Sequence, residues 1–165
     1  MAPAVSAEGA LANLVNKFVL FVDFHGVIHV GAPGPAWQEN LRNFESIFRE
    51  PLIIENVRIV LCGDWRRRYS WEKLREKFSP DIRPLVIDET PRLQATIGFR
   101  SHVEIYAWLK QHPEISDYKV FEWGGFSGEE PYLESALFFP GEKHMSVEMA
   151  QALQQIFLSK VVRPE

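Results

Sequence analysis

The chain has 165 residues, 46% hydrophobic and 13% aromatic, enough to bury the core of one compact domain and too few for a second. A formal charge of -4 and a pI near 5.8 argue against a general nucleic-acid binder, which carries a basic surplus. The single cysteine, Cys62, excludes a disulfide framework and a multi-cysteine zinc site, no apolar run reaches the ~18 to 20 residues of a membrane span, and the N-terminus lacks a signal-peptide pattern, so a cytoplasmic home is expected.

In chain order, residues 1–6 read as a loose end, and Glu8 to Asn16 place Leu11, Leu14 and Val15 at helical spacing. Phe18 to Val22 are five consecutive apolar residues rich in β-branched and aromatic types, the pattern of a strand buried on both faces in a parallel sheet. That strand delivers Asp23, with Gly26 following for a turn. A carboxylate at the carboxyl end of a buried parallel strand stands where open α/β sheets place their ligands; the alternative is that Asp23 only caps a turn.

A breaker-rich loop, Gly31 to Pro35, precedes a helical pattern from Trp37 to Arg49, which Pro51 is expected to end. Val57 to Leu61, followed by Gly63, reads as a second parallel strand whose end lies beside Asp23. Arg66, Arg67 and Arg68 then form a basic run that either binds phosphate or a nucleic-acid backbone, or is a solvated surface paired with nearby acids. Ser70 caps a helix carrying Trp71, Leu74 and Phe78, and Leu85 to Ile87 is a short strand or extended piece leading to Thr90-Pro91. A helix from Ser101 to His112, a strand from Tyr118 to Phe121, a strand from Ala136 to Phe139 and a Ser146-capped helix from Val147 to Ser159 complete the chain. Alternating apolar strands and amphipathic helices predict a three-layer, Rossmann-like α/β domain with a mainly parallel sheet, one domain over 1–165 with its core at about 17–159. The five histidines share no metal-ligand spacing.

The stretch Phe-Val-Asp-Phe-His-Gly-Val-Ile, residues 21–28, resembles the first motif of the haloacid dehalogenase-like superfamily, an apolar strand ending in Asp-x-Asp-Gly-(Thr/Val), with His25 in place of the second Asp. Val57-Arg-Ile-Val-Leu-Cys-Gly-Asp-Trp-Arg resembles the second motif of one branch, the domain found in Swiss-army-knife RNA repair proteins. Trp65 and Arg66 match there, while Cys62, Gly63 and Asp64 stand where that branch has serines. Ser-x-x-x-Leu-Arg-x-x-Phe from Ser70, then Pro-Asp, Val-Ile and Thr90-Pro91, continue the likeness.

The resemblance implies a HAD-like fold and a Mg²⁺-dependent phosphohydrolase or phosphotransferase working through an aspartyl-phosphate. In that reading Asp23 is the nucleophile, His25 the general acid and Arg100 the charge-neutralising cation. The phosphate is cradled around Cys62, Gly63 and Arg66, and Mg²⁺ is held by Asp23, the backbone at His25, and Glu122. Val27 to Val30 is either the small flap that the resemblance implies after the nucleophile or plain loop. Trp123 replaces the second acid of the metal motif, and a neutral indole cannot ligate a hard cation, so metal affinity is expected to fall unless Asp64, Glu129 or Glu130 contributes. Substrates implied are a phosphorylated small molecule or a nucleic-acid end. The departures at His25, Cys62 to Asp64 and Trp123 keep a second reading open, a catalytically degenerate binding or regulatory domain.

Overall fold

The structure, a computed structural model, describes Leu14 and residues 17–24, 35–93, 100–123, 136–139 and 145–161. The expected leading helix at Glu8 to Asn16 and the flap at Val27 to Val30 lie outside these residues, Leu14 apart. Five strands form one sheet: β1 (Phe18–Asp23), β2 (Val57–Cys62), β3 (Val86–Glu89), β4 (Tyr118–Trp123) and β5 (Ala136–Phe139), in the order β3-β2-β1-β4-β5. Every pairing is parallel. The strand that the sequence marks as most apolar is therefore the central one.

Side-chain alternation sends β1 to two cores. Phe18, Leu20, Val22 and Phe24 join a cluster with Phe44, Phe48, Ile53, Leu74 and Phe157, contributed by helices α1 (Pro35–Ser46), α2 (Pro51–Asn56), α4 (Trp71–Arg75) and α6 (Val147–Val161) and the segments adjoining them. Val19 and Phe21 join Val60, Cys62 and Ile87 beneath Ile105 and Trp108 of α5 (Arg100–Gln111). Helices thus cover both faces, as an all-parallel sheet requires, and the expected three-layer α/β architecture is present. Among the described residues no helix is long and apolar enough to cross a membrane.

Three local features go beyond the sequence reading. Pro51 does not merely end the preceding helix: a 3₁₀ turn, Ile47–Arg49, leads to Glu50, whose carboxylate accepts the Ile53 amide at 3.1 Å, and Pro51 opens α2. Proline suits a first helical position because its missing N–H would have no partner there. The basic run becomes a short helix, α3 (Trp65–Arg68), at the carboxyl edge of the sheet. The β2/β3 register also shifts, Ile59 pairing with Val86 and Val60 with Asp88, so that Ile87 is an extra residue. The bulge turns both Ile87 and Asp88 toward α5, where Asp88 accepts the Trp108 indole N–H at 2.6 Å.

Candidate active site at the carboxyl edge

The register sets which residues meet. Asp23 pairs with Cys62, and Val22 pairs with Phe121, so Glu122 takes the next position along the strand on the other side of Asp23. Leu61 pairs with Glu89, and the Thr90 amide donates to the Leu61 carbonyl at 2.9 Å. With strands about 4.8 Å apart, the ends of four consecutive strands bring Asp23, Gly63, Thr90 and the backbone of Glu122 to one edge.

Asp23 is half-buried there, and Gly63 is its floor. Gly63 has φ +83°, a left-handed conformation open to glycine at little cost. A Cβ on Gly63 would fall on the carboxylate carbon and both oxygens of Asp23, far inside van der Waals contact. The chain departs from the serine pattern at Gly63, and the departure seats the carboxylate directly on backbone. The next residue, Phe24, anchors the strand end from the opposite face: its ring stacks on Trp65 at 5.8 Å and meets Phe78 edge-on at 5.5 Å.

The other residues of the second motif divide in their surroundings. Cys62 is wholly buried in the α5-side core, so its thiol faces packed side chains and only its backbone borders the edge. Asp64 turns outward, its side chain 79% exposed and 3.5 Å from Arg67. Arg66 is buried and its nitrogens are engaged within the protein: Nε donates to the Gly63 carbonyl at 3.1 Å, Nη1 to the Thr90 carbonyl and Nη2 to Glu104. Of the three arginines, one is an internal strut, one pairs with Asp64 and Glu104, and Arg68 is exposed.

His25 lies outside the described residues. Arg100 opens α5 and Glu122 lies in β4 opposite Phe138, both described by their backbone alone. Asp23 and Glu122 are hard carboxylate donors of the type Mg²⁺ takes, and the parallel register makes them neighbours, so this part of the donor set fits the ion. Among the described residues there is no group of three His, Cys, Asp or Glu side chains able to hold a metal.

The surroundings of two further residues at this edge are visible only in the structure. Glu104 is buried on α5, accepting from Arg66, from Arg67 at 3.2 Å and from the Leu93 amide at 3.0 Å. Its signal was its place one turn before Trp108, on the inward stripe of the helix, where a carboxylate needs a partner. Thr90 is wholly buried, and its hydroxyl has no hydrogen-bond partner among the described residues. A cleft of about 300 Å³ opens elsewhere, at the amino edge of the sheet between Lys17, Asn56, Asp117 and Lys160. It lies a strand's length from Asp23, and the Lys17 ammonium there already donates to the Glu55 carbonyl at 2.9 Å.

No curated protein and no solved structure matches the chain. Residues 19–123 match a family described as the HAD domain in Swiss Army Knife RNA repair proteins, a span that runs from β1 to the end of β4 and holds the whole carboxyl edge from Asp23 to Glu122. With more than half its length in that match and the all-parallel, centrally placed β1 that the fold requires, the chain belongs to this family of HAD-like domains.

Proposed function

We propose that the domain is a Mg²⁺-dependent phosphohydrolase or phosphotransferase in which Asp23 forms an aspartyl-phosphate. The observation that carries this reading is the seat of Asp23: a half-buried carboxylate at the carboxyl end of the central strand, set directly on the backbone of a left-handed glycine. In the proposed reaction an Asp23 carboxylate oxygen attacks phosphorus, the bond from phosphorus to the leaving oxygen breaks, and the imidazolium of His25 gives that oxygen a proton. Water then hydrolyses the acyl phosphate and regenerates Asp23, or a second acceptor takes the phosphoryl group. Arg100 offsets the charge that gathers on the phosphoryl oxygens.

The backbone following β2 contributes amides at Gly63, while Arg66 acts on that loop from beneath rather than touching phosphate. Mg²⁺, when held by Asp23, the backbone at His25 and Glu122, supplies the screening that lets a carboxylate approach a phosphoryl anion. The substrate class in this reading is a phosphomonoester on a small molecule or a nucleic-acid end.

A second reading has its own observation. The Cys62 thiol is sunk in the core and Asp64 faces solvent, so neither side chain of the loop after β2 offers a hydroxyl to a phosphoryl group, as a degenerate binding domain would tolerate. Isothermal titration with Mg²⁺ and beryllofluoride separates the two. Binding of metal and mimic by the native protein that disappears in Asp23→Asn is the outcome expected of the enzyme. Absence of binding in both proteins sinks the aspartyl-phosphate mechanism and leaves the degenerate domain.

A further inference from the structure

Glu104 belongs to no motif named above, yet its buried carboxylate accepts three hydrogen bonds, as many as that of Glu45. One oxygen accepts from the Leu93 amide and from Arg67, and the other from Arg66. Both Glu104 and Arg66 have side chains only 1% exposed. Removing such a pair from water is costly, and a well-packed apolar pair of similar volume is commonly as stable, so stability alone does not account for it. Where the guanidinium's other two donors go is the informative part. They end on the carbonyls of Gly63 and Thr90, the residues that follow β2 and β3 at the edge occupied by Asp23.

We propose that Glu104 is a positioning residue for the Asp23 site. It orients the planar fork of Arg66, Arg66 grips the Gly63 carbonyl, and the grip holds Gly63 in its left-handed conformation beneath the Asp23 carboxylate. The same clamp ties the loop after β2 to the loop after β3 and to α5, so three segments far apart in sequence reach the edge in one fixed arrangement. Its catalytic consequence rests on the phosphoryl-transfer reading, whereas the geometry of the clamp does not.

The test follows the Gly63 amide of the full chain by ¹⁵N nuclear magnetic resonance at fixed pH, with and without Asp23→Asn. In the native background Asp23→Asn is expected to displace this resonance, because the carboxylate rests on Gly63. Glu104→Gln keeps the shape and loses the charge, and Arg66→Lys keeps a cation and loses the fork. Each is expected to displace the Gly63 resonance and at least halve its response to Asp23→Asn. Leu153→Ala, which opens the core on the far face of the sheet, is expected to lower stability and leave that response intact.

The proposal is overturned if either clamp variant folds with an unaltered Gly63 response, if Leu153→Ala produces the same loss, or if the native resonance ignores Asp23. A parallel titration with Mg²⁺ and beryllofluoride is expected to show affinity falling on the order of tenfold in Glu104→Gln, since small displacements of reacting groups are expensive. Undiminished affinity there counts against the clamp. A native protein that binds no mimic defeats the phosphoryl-transfer reading, and the Gly63 resonance still decides the clamp.

Discussion

Gly63 and Asp23 form a unit whose parts cannot be changed independently. A methyl group on Gly63 meets two penalties: about 1–2 kcal/mol for a left-handed non-glycine residue, and overlap with the Asp23 carboxylate. Gly63→Ala is therefore expected to lower the urea midpoint and to abolish any Asp23-dependent binding. In the double variant Asp23→Ala, Gly63→Ala the overlap has gone while the backbone penalty stays. Its total loss of stability is expected to fall short of the sum of the single losses, by an amount that a double-mutant cycle measures. Strict additivity would mean that the two residues do not touch.

The same pair shows how far the sequence speaks at this scale. Asp23 and Gly63 each follow an apolar run, so their arrival at neighbouring strand ends was legible. The Arg66 to Glu104 pairing was not, because it joins residues from different helices and a glutamate in a helix ordinarily reads as an outward, solvated residue.

Among the elements, α5 meets the sheet through both polar and apolar contacts. Trp108 lies edge-on to Phe21 at 5.4 Å and donates its indole N–H to Asp88, which the bulge in β3 turns toward it. Trp108→Phe keeps a ring near Phe21 but leaves Oδ2 of the partly buried Asp88 without its indole donor, a loss of about 1–3 kcal/mol. Asp88→Asn, whose amide oxygen still accepts, is expected to cost less. Thermal unfolding of the two variants orders them, and equal losses would show that the hydrogen bond contributes nothing.

The strands were legible from five runs of apolar residues, and the major helices in the described region from their stripes. The bulge was invisible because it depends on which residue of β3 meets Val60, and pairing partners are not written in either strand alone. Pro51 ends the first helical segment as expected, but its second role was missed for a physical reason: the features that make proline end one helix also make it open the next.

For the whole molecule, a net charge of -4 makes the few carboxylates with strong partners decisive in acid. Arg49 joins the end of the first helical segment to the loop before β3: its Nε bonds Asp81 at 2.8 Å, while Glu45 accepts the Ser79 amide and hydroxyl at 2.6 Å each. The bond from Arg49 holds the Asp81 carboxyl below its usual range, and Asp81 in turn raises the Arg49 guanidinium. A carboxyl whose folded pKa is depressed contributes stability above its unfolded value of about 3.9, and that contribution is lost as the pH falls through the lower folded value.

Because both partners are substantially exposed, the contribution is expected to be at most about 1 kcal/mol and to shrink in high salt. Asp81→Asn should thus be slightly less stable than the native protein at pH 7, by a margin that narrows as the pH falls below about 3.9. A difference that grows on acidification would reverse the assignment.

The position of β1 at the centre of an all-parallel sheet also governs how the chain is exposed while it is being made. β1 acquires β2 on one side about forty residues later, but its other edge stays open until β4 emerges about a hundred residues later, since Val19 pairs with Tyr118. During that interval the most apolar strand of the protein presents unpaired backbone along one side, the condition that invites strand addition from another chain. A nascent chain halted before β4 is thus the form of this domain most in need of a chaperone, and the Asp23 edge is completed only when that vulnerable period ends.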